Sequence, residues 1–103
     1  MGDVIRRPVT AEITVISAPA TTGWTCTVQV TEPNGQTRHT VAVGREELAQ
    51  LTAGKSATPE QLVRKVFEFL LEREPKHHIL RQFDLPTVTK HFPEFPSEIL
   101  KKL

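Results

Sequence analysis

The most constraining feature of the sequence is a pair of alternating segments joined by a turn. In Gly23 to Thr31, apolar side chains alternate with threonine and glutamine. In Gln36 to Val43 the alternation resumes, with one side formed by His39, Val41 and Val43 and the other by Arg38, Thr40 and Ala42. A period of two places the two sets on opposite faces of a β-strand. The linking segment, Glu32 to Gly35, consists of turn residues, because its proline presets φ and the Asn-Gly that follows tolerates left-handed geometry. We therefore predict a β-hairpin.

An earlier segment, Ala11 to Ser17, alternates too and predicts a third antiparallel strand. Its Ile13 and Val15 lie opposite a set that contains Glu12, Thr14 and Ile16. A small-residue loop over 18–22 joins it to the hairpin. Because an isolated hairpin is marginally stable, a third strand and a covering helix are expected. Residues 1–9 are predicted to be a flexible N-terminal tail, and residues 10–103 a single α+β domain.

The second half of the chain changes to a helical period. Thr58 to Gln61 reads as a capping box with proline in the first turn, so a helix begins there and continues to about Glu74, before Pro75. A shorter helix is predicted over Arg45 to Leu51. The apolar residues of the longer helix spread over an arc of roughly 200°, which is wider than one packing face requires. These residues are Leu62, Val63, Val66, Phe67, Phe69, Leu70 and Leu71.

Prolines divide the C-terminal part into predicted short helices over Lys76–Phe83, Pro86–Phe92 and Ser97–Leu103. All five phenylalanines lie between positions 67 and 95, which predicts an aromatic layer of core on the far side of the longer helix. The expected fold is thus α+β: a three-stranded antiparallel sheet (β-β-β) packed on one long central helix, followed by short C-terminal helices.

Composition narrows the class of protein. A chain of 103 residues with 38% hydrophobic residues suits one hydrophobic core, and the net charge of +1 gives no global basic excess. No apolar run reaches the length of about 20 residues that spans a membrane, and the N-terminus lacks the apolar segment of a secretory signal. The single cysteine, Cys26, cannot form an intramolecular disulfide. A cytoplasmic location is predicted, without membrane contact.

No catalytic, cofactor or metal site is predicted. Gly54-Lys55-Ser56 lacks the earlier glycine and the strand-to-helix context of a phosphate-binding loop. Adjacent His77 and His78 diverge by about 100° on a helix and cannot share an ion. Cys26 and His39, on neighbouring predicted strands, are the only Cys–His candidate for an enzyme, and an inert buried thiol is the favoured interpretation.

A nucleic-acid interpretation depends on basic residues of the C-terminal helices. The segment His78 to Phe92 superficially follows a helix-turn-helix pattern, although the expected buried aliphatic position is occupied by Lys90. A regulator of this kind would use Arg81, Lys90, Lys101 and Lys102. This function is the alternative to protein binding.

Two resemblances accompany these patterns. The segment PEQLVRKVFEFLLEREP over Pro59 to Pro75, with ILRQFDL and FPEF further on, resembles a group of short, uncharacterised prokaryotic proteins. That resemblance implies no activity, cofactor or ligand. The predicted order of three antiparallel strands and a helix resembles, more weakly, the HicB-like antitoxins of toxin–antitoxin pairs, which implies an antitoxin-like regulator.

The favoured prediction is a small, non-enzymatic protein-binding or regulatory module without a cofactor. The hairpin carries a threonine-rich outer face that we expect at a sheet edge, where it would accept a strand from a protein partner or from another copy of the chain. A merely solvated face is the alternative. The threonines of this candidate partner surface are Thr25, Thr27, Thr31 and Thr40.

Overall fold

A computed structural model describes residues 11–103, and its first half consists of three antiparallel strands. They are β1 (Glu12–Ala20), β2 (Gly23–Glu32) and β3 (Gly35–Gly44). The predicted hairpin is confirmed, since β2 and β3 pair throughout and only Pro33 and Asn34 separate them. Strand β1 is longer than predicted, because its last residues pair with the start of β2 and reduce the expected loop to Thr21 and Thr22. The predicted tail, 1–9, lies outside the described residues.

The second half contains four helices, a 3-10 turn and a further short strand. The helices are α1 (Arg45–Thr52), α2 (Pro59–Leu71), α3 (Leu85–His91) and α4 (Phe95–Lys102). Between α2 and α3, the chain forms a 3-10 turn over Lys76–His78 and strand β4 (Gln82–Asp84). In the part of the chain that the structure describes, no helix is both long enough and apolar enough to cross a bilayer.

Helix α2 begins as predicted and ends early. The Thr58 hydroxyl accepts a hydrogen bond from the Gln61 N–H, and the Gln61 side chain accepts one from the Thr58 N–H. At the other end, the N–H groups of Arg73 and Glu74 both donate to the Leu70 carbonyl, which tightens the backbone and ends the helix at Leu71. The prediction of one long central helix is therefore wrong: α2 has 13 residues and is one of four helices.

The predicted helix over Lys76–Phe83 is also wrong. In its place β4 pairs in parallel with β3, with Phe83 opposite Val41. The sheet accordingly has four strands in the order β1-β2-β3-β4 and is mixed, whereas three antiparallel strands were expected. The physical reason is twofold. Pairing satisfies the Thr40 N–H, which donates to the Arg81 carbonyl at 2.7 Å, and it buries Phe83 beside Phe67 with ring centroids 5.9 Å apart.

Aromatic contacts fix α2 on two sides. Phe67 packs against the sheet, where its ring lies 5.1 Å from that of His39. Phe69 packs edge-on against Phe95 at 5.2 Å and Phe92 at 5.7 Å. Burying one such ring contributes roughly 1.5–3 kcal/mol. The inner face of the sheet and both flanks of α2 thus form one core, while the outer face of the sheet lies open.

One buried cation ties the hairpin turn to the second half of the chain. Lys76 is only 6% exposed, and its Nζ lies 2.9 Å from a Glu32 carboxylate oxygen and 2.9 Å from the Asn34 Oδ1. A buried ammonium needs such partners, because an unpaired buried charge is costly. The contact therefore sets the position of the turn between β2 and β3 relative to the 3-10 turn.

Replacing Lys76 with Ala should destabilise the fold by about 1–3 kcal/mol, because the Asn34 amide and the Glu32 carboxylate lose their buried hydrogen-bond partner. Urea unfolding monitored by circular dichroism measures the change. Lys101, which is exposed and paired with Glu98, provides the control: Lys101→Ala should alter the free energy of unfolding by less than about 0.5 kcal/mol. Equal effects of the two substitutions would contradict the role given to Lys76.

Candidate functional site

The site begins with the backbone of β1, which is an edge strand of the sheet. Ala20 and Gly23 flank a two-residue turn, so this pair is hydrogen-bonded in the manner of a two-residue hairpin. Hydrogen-bonded and non-hydrogen-bonded pairs alternate along antiparallel strands. The backbone groups that point away from β2 therefore belong to Ile13, Val15, Ser17 and Pro19. Within residues 11–103, no strand pairs with this side of β1.

Two details of the structure agree with this assignment. Pro19 has no N–H and falls at a position where the N–H would point outward, as prolines in edge strands do. The Arg64 guanidinium, from α2, donates to the Ile13 carbonyl, which must therefore be accessible at the edge. In the middle of the edge, the N–H and C=O of Val15 and Ser17 have no hydrogen-bond partner among residues 11–103. We call residues Ile13 to Pro19 the β1 edge.

Side chains of α2 border the β1 edge. The Ser17 hydroxyl donates to a Glu60 carboxylate oxygen at 2.7 Å, and this hydrogen bond is the main reason that the pKa of Glu60 lies below its ordinary value. Toward the start of β1, an open groove of about 260 Å³ separates the strand from the helix. It is lined by Ala11, Ile13, Arg64, Glu68 and Glu72. A polar helix surface thus runs beside unpaired backbone.

The β1 edge carries few of the features that protect exposed strands. Proteins commonly guard such edges with charged residues, bulges or proline. Glu12 is the only charged residue of the nine in β1, the register is continuous, and Pro19 stands near one end. On the outer face, Ile16 is 66% exposed, one of the two large exposed hydrophobic residues in the described region. The middle of the edge thus carries no charged residue of its own and exposes Ile16 on the outer face.

The threonines of the predicted partner surface lie on the open outer face, but not at an edge. Thr25, Thr27 and Thr31 belong to β2, which pairs with a strand on both sides, and Thr40 pairs with both β2 and β4. Their backbone groups are already used, so the expectation that another strand adds at these residues is wrong. Their role as contacts on the open face stays a prediction.

The sequence did not predict that β1 is an edge strand. Strand order decides which strand is at an edge, and it depends on pairing between distant parts of the chain. One local signal existed: Ile16 is an isoleucine in the outward-facing set that otherwise holds Glu12 and Thr14. An apolar residue among outward positions is typical of a contact surface.

Cys26 and His39 both lie in the core and do not form a reactive pair. In the sheet register, Cys26 pairs with Val41 and His39 with Val28. The ring of His39 uses both nitrogens: Nδ1–H donates to the Leu80 carbonyl, so Nε2 accepts from the Thr37 hydroxyl, each at 2.8 Å. Burial, followed by the charge of Glu60, raises the pKa of the Cys26 thiol to about 11. A thiolate nucleophile is therefore disfavoured at neutral pH.

The basic residues of the nucleic-acid alternative are dispersed and partly neutralised. Lys101 lies 3.1 Å from Glu98, and Lys102 lies 2.8 Å from Glu72. Arg81 and Lys90 are exposed, and neither forms an ion pair within residues 11–103. Since β4 lies where the first helix of the helix-turn-helix pattern was expected, the helix-turn-helix interpretation of His78 to Phe92 is wrong.

A second hollow, of about 270 Å³, lies between the end of α2 and α3. Apolar side chains dominate its lining, which also includes Glu74, His78, Thr87 and His91 but not Cys26. Across the described chain, no three His, Cys, Asp or Glu side chains converge in a way that could hold a metal ion. The apolar residues of this hollow are Leu70, Ile79, Leu80, Phe83, Val88 and Phe92.

Comparisons with protein-family models, with curated proteins and with solved structures found no match to this chain.

The buried thiol gives a direct test of the core assignment. Cys26 in the native protein should resist an aromatic disulfide reagent at pH 8, and it should react within minutes after unfolding in urea, because burial both shields the sulfur and raises its pKa. Absorbance of the released thiolate measures both reactions. Rapid reaction of the folded protein would show that Cys26 is accessible and would reopen the enzymatic interpretation.

The burial of His39 leads us to expect a loss of stability in mild acid. Burial is the main cause that lowers its pKa below the ordinary 6.5, and the Arg81 charge acts in the same direction, against the Leu80 hydrogen bond. As the pH falls below about 6.5, the unfolded chain binds a proton that the folded chain does not, so the free energy of unfolding should decrease from pH 7 to pH 5. Urea unfolding at both pH values should show a smaller decrease for His39→Gln. The exposed control, His91→Gln, should behave like the wild type.

Proposed function

We propose that this chain is a small, non-enzymatic protein-binding or regulatory module that accepts a strand from its partner at the β1 edge. The observation that carries the proposal is a pair of outward backbone positions, Val15 and Ser17, in the middle of a nine-residue edge strand, which no other part of the described chain pairs with. Strand addition is a common mode of protein recognition in which main-chain hydrogen bonds supply affinity. An added strand would complete these hydrogen bonds without any change in the fold.

The helix beside the edge supports the proposal. In strand addition, pockets for alternate side chains supply specificity. Here α2 offers Arg64 and Glu60 next to the strand, and the groove between the start of β1 and α2 provides room for side chains of an added segment. The partner strand would therefore contact polar groups of α2 on the inner face of the sheet and Ile16 on the outer face.

The non-enzymatic part of the proposal is supported by the state of the chain's most reactive side chains. Cys26 and His39 are buried, and the histidine nitrogens are both engaged. Nucleophilic catalysis requires an accessible nucleophile within hydrogen-bond reach of a base. This geometry favours a role in the core for both residues.

Val15→Pro removes the outward N–H, and an edge strand tolerates proline at such a position. Val15→Ala, which shortens the same side chain but keeps the N–H, is the matched control. Affinity capture from the native cell should recover a partner, or further copies of the chain, with the wild type and Val15→Ala. The same protein should be lost with Val15→Pro, and circular dichroism should show that the variant is folded.

Retention of the captured protein by Val15→Pro would contradict strand addition at β1. A further variant, Thr27→Lys, tests the open face: loss of the partner with Thr27→Lys but not with Val15→Pro would assign binding to the threonine surface instead. Recovery of no protein with the wild type, neither a partner nor a further copy, would count against protein binding altogether.

A further inference from the structure

The outward groups of the β1 edge are complementary to themselves. In an antiparallel pair of two β1 strands with Ile16 opposite Ile16, Val15 of one copy faces Ser17 of the other. Both positions point outward, so the two residues exchange both of their N–H···O=C hydrogen bonds. The two-fold axis repeats this exchange, and all four unpaired groups in the middle of the edge are satisfied in each copy.

The ends of the same arrangement account for the two irregular features of the edge. Ile13 faces Pro19 of the second copy, and the Ile13 N–H donates to the Pro19 carbonyl. Pro19 has no N–H to return to the Ile13 carbonyl. That carbonyl is the one that already accepts from Arg64. The Ile13 carbonyl, which this pairing leaves without a backbone donor, thus accepts a hydrogen bond from Arg64 of its own subunit.

Neighbouring registers lack this match. If the axis passes through Ser17, Pro19 faces Val15, whose carbonyl then has no donor. If the axis passes through Val15, Pro19 faces Ala11, and Ser17 competes with Arg64 for the Ile13 carbonyl. A shift by a single residue places inward-bonded groups opposite outward ones. The register centred on Ile16 is therefore favoured over each of its neighbours.

Side chains favour the same register. Ile16 is 66% exposed in the single subunit, and the axis at Ile16 brings its side chain against the equivalent one on the outer face. On the helix side, α2 runs opposite to β1, because Glu60 contacts Ser17 while Arg64 contacts Ile13. The two-fold axis therefore brings the carboxylate of Glu60 toward Arg64 of the second copy, which is a complementary pair of charges.

We propose that the strand accepted at the β1 edge is β1 of a second copy, paired antiparallel about a two-fold axis at Ile16, so that two sheets join into one continuous sheet. This proposal rests on the proposed function, since it names the partner of the same edge. Two-fold dimers are the commonest oligomers of soluble proteins, and their interfaces are self-complementary in this way.

A cysteine scan along the outer face of β1 tests the register. Ile16→Cys should form a disulfide-linked dimer under mild oxidation, because opposed residues of a non-hydrogen-bonded pair lie about 4.5 Å apart at Cα. Thr14→Cys and Ala18→Cys should each remain largely uncrosslinked alone, whereas a mixture of the two should crosslink, since Thr14 faces Ala18 of the second copy. Non-reducing electrophoresis measures each yield. The buried Cys26 is common to all variants, and the wild type serves as the blank.

Light scattering after size-exclusion chromatography supplies the second readout. The wild type should have the mass of a dimer, and Ile16→Lys should have that of a folded monomer, because like charges would meet at the axis. Ile16→Thr, which removes apolar surface without charge, should weaken the dimer less. Since Ile16 is exposed in the subunit, these variants should keep the circular dichroism spectrum of the wild type.

A wild-type monomer at all concentrations, or no crosslinking of Ile16→Cys, would overturn the dimer. Preferential crosslinking of Thr14→Cys or Ala18→Cys alone would overturn the register. Failure of the dimer can be distinguished from failure of strand addition. If a different protein is captured and is lost with Val15→Pro but not with Val15→Ala, the proposed function holds and the second copy is rejected as the partner. Retention of every captured protein by Val15→Pro would reject the proposed function as well.

Discussion

The contact between α2 and the inner face of the sheet determines the rest of this structure. Phe67 lies against His39 and Phe83, so that one ring joins the helix, the hairpin and the late strand β4. Because Phe69 uses another side of the helix for Phe92 and Phe95, the residue that follows α3 and the start of α4 pack against α2 and not on the sheet's outer face. The helices therefore cover one face of the sheet, and the strands expose the other.

The two outer strands of the antiparallel unit β1-β2-β3 differ in what pairs with them. At β3, the parallel strand β4 pairs over Thr40 to Ala42, and the His39 ring donates to the Leu80 carbonyl just before it. At the outward side of β1, the Ile13 carbonyl is the one group that receives a donor from residues 11–103, and that donor is Arg64. Unpaired backbone at an exposed edge favours association with another strand. This asymmetry is the physical basis for assigning binding to β1, and it arises from the path of the chain after α2, which returns to β3.

For this protein, the sequence predicts local structure more successfully than it predicts the order of strands in the sheet. The hairpin and the capping box of α2 follow from residues that are close together in the chain, and their signals are independent of distant contacts. Strand β4 is three residues long, and the Ile79, Leu80 and Phe83 spacing suits a helix equally well. Only pairing with Val41, more than forty residues earlier, makes it a strand. The candidate site was missed for the same reason, since the edge position of β1 is a property of the whole sheet.

Pro19 and Arg64 connect the stability of the subunit with the chemistry of its edge. In a lone subunit, the Arg64 contact satisfies a carbonyl that solvent could also reach, so such a hydrogen bond adds little to stability. Against an added strand, water leaves the edge and an unpaired carbonyl opposite Pro19 would become costly. The same contact then prevents that cost. The Arg64 contact thus contributes little to the stability of the free subunit and more when the edge is covered. It favours an added strand that places a residue without an N–H opposite Ile13. The chain's own β1 has such a residue, Pro19, three positions from Ile16, as Ile13 is on the other side.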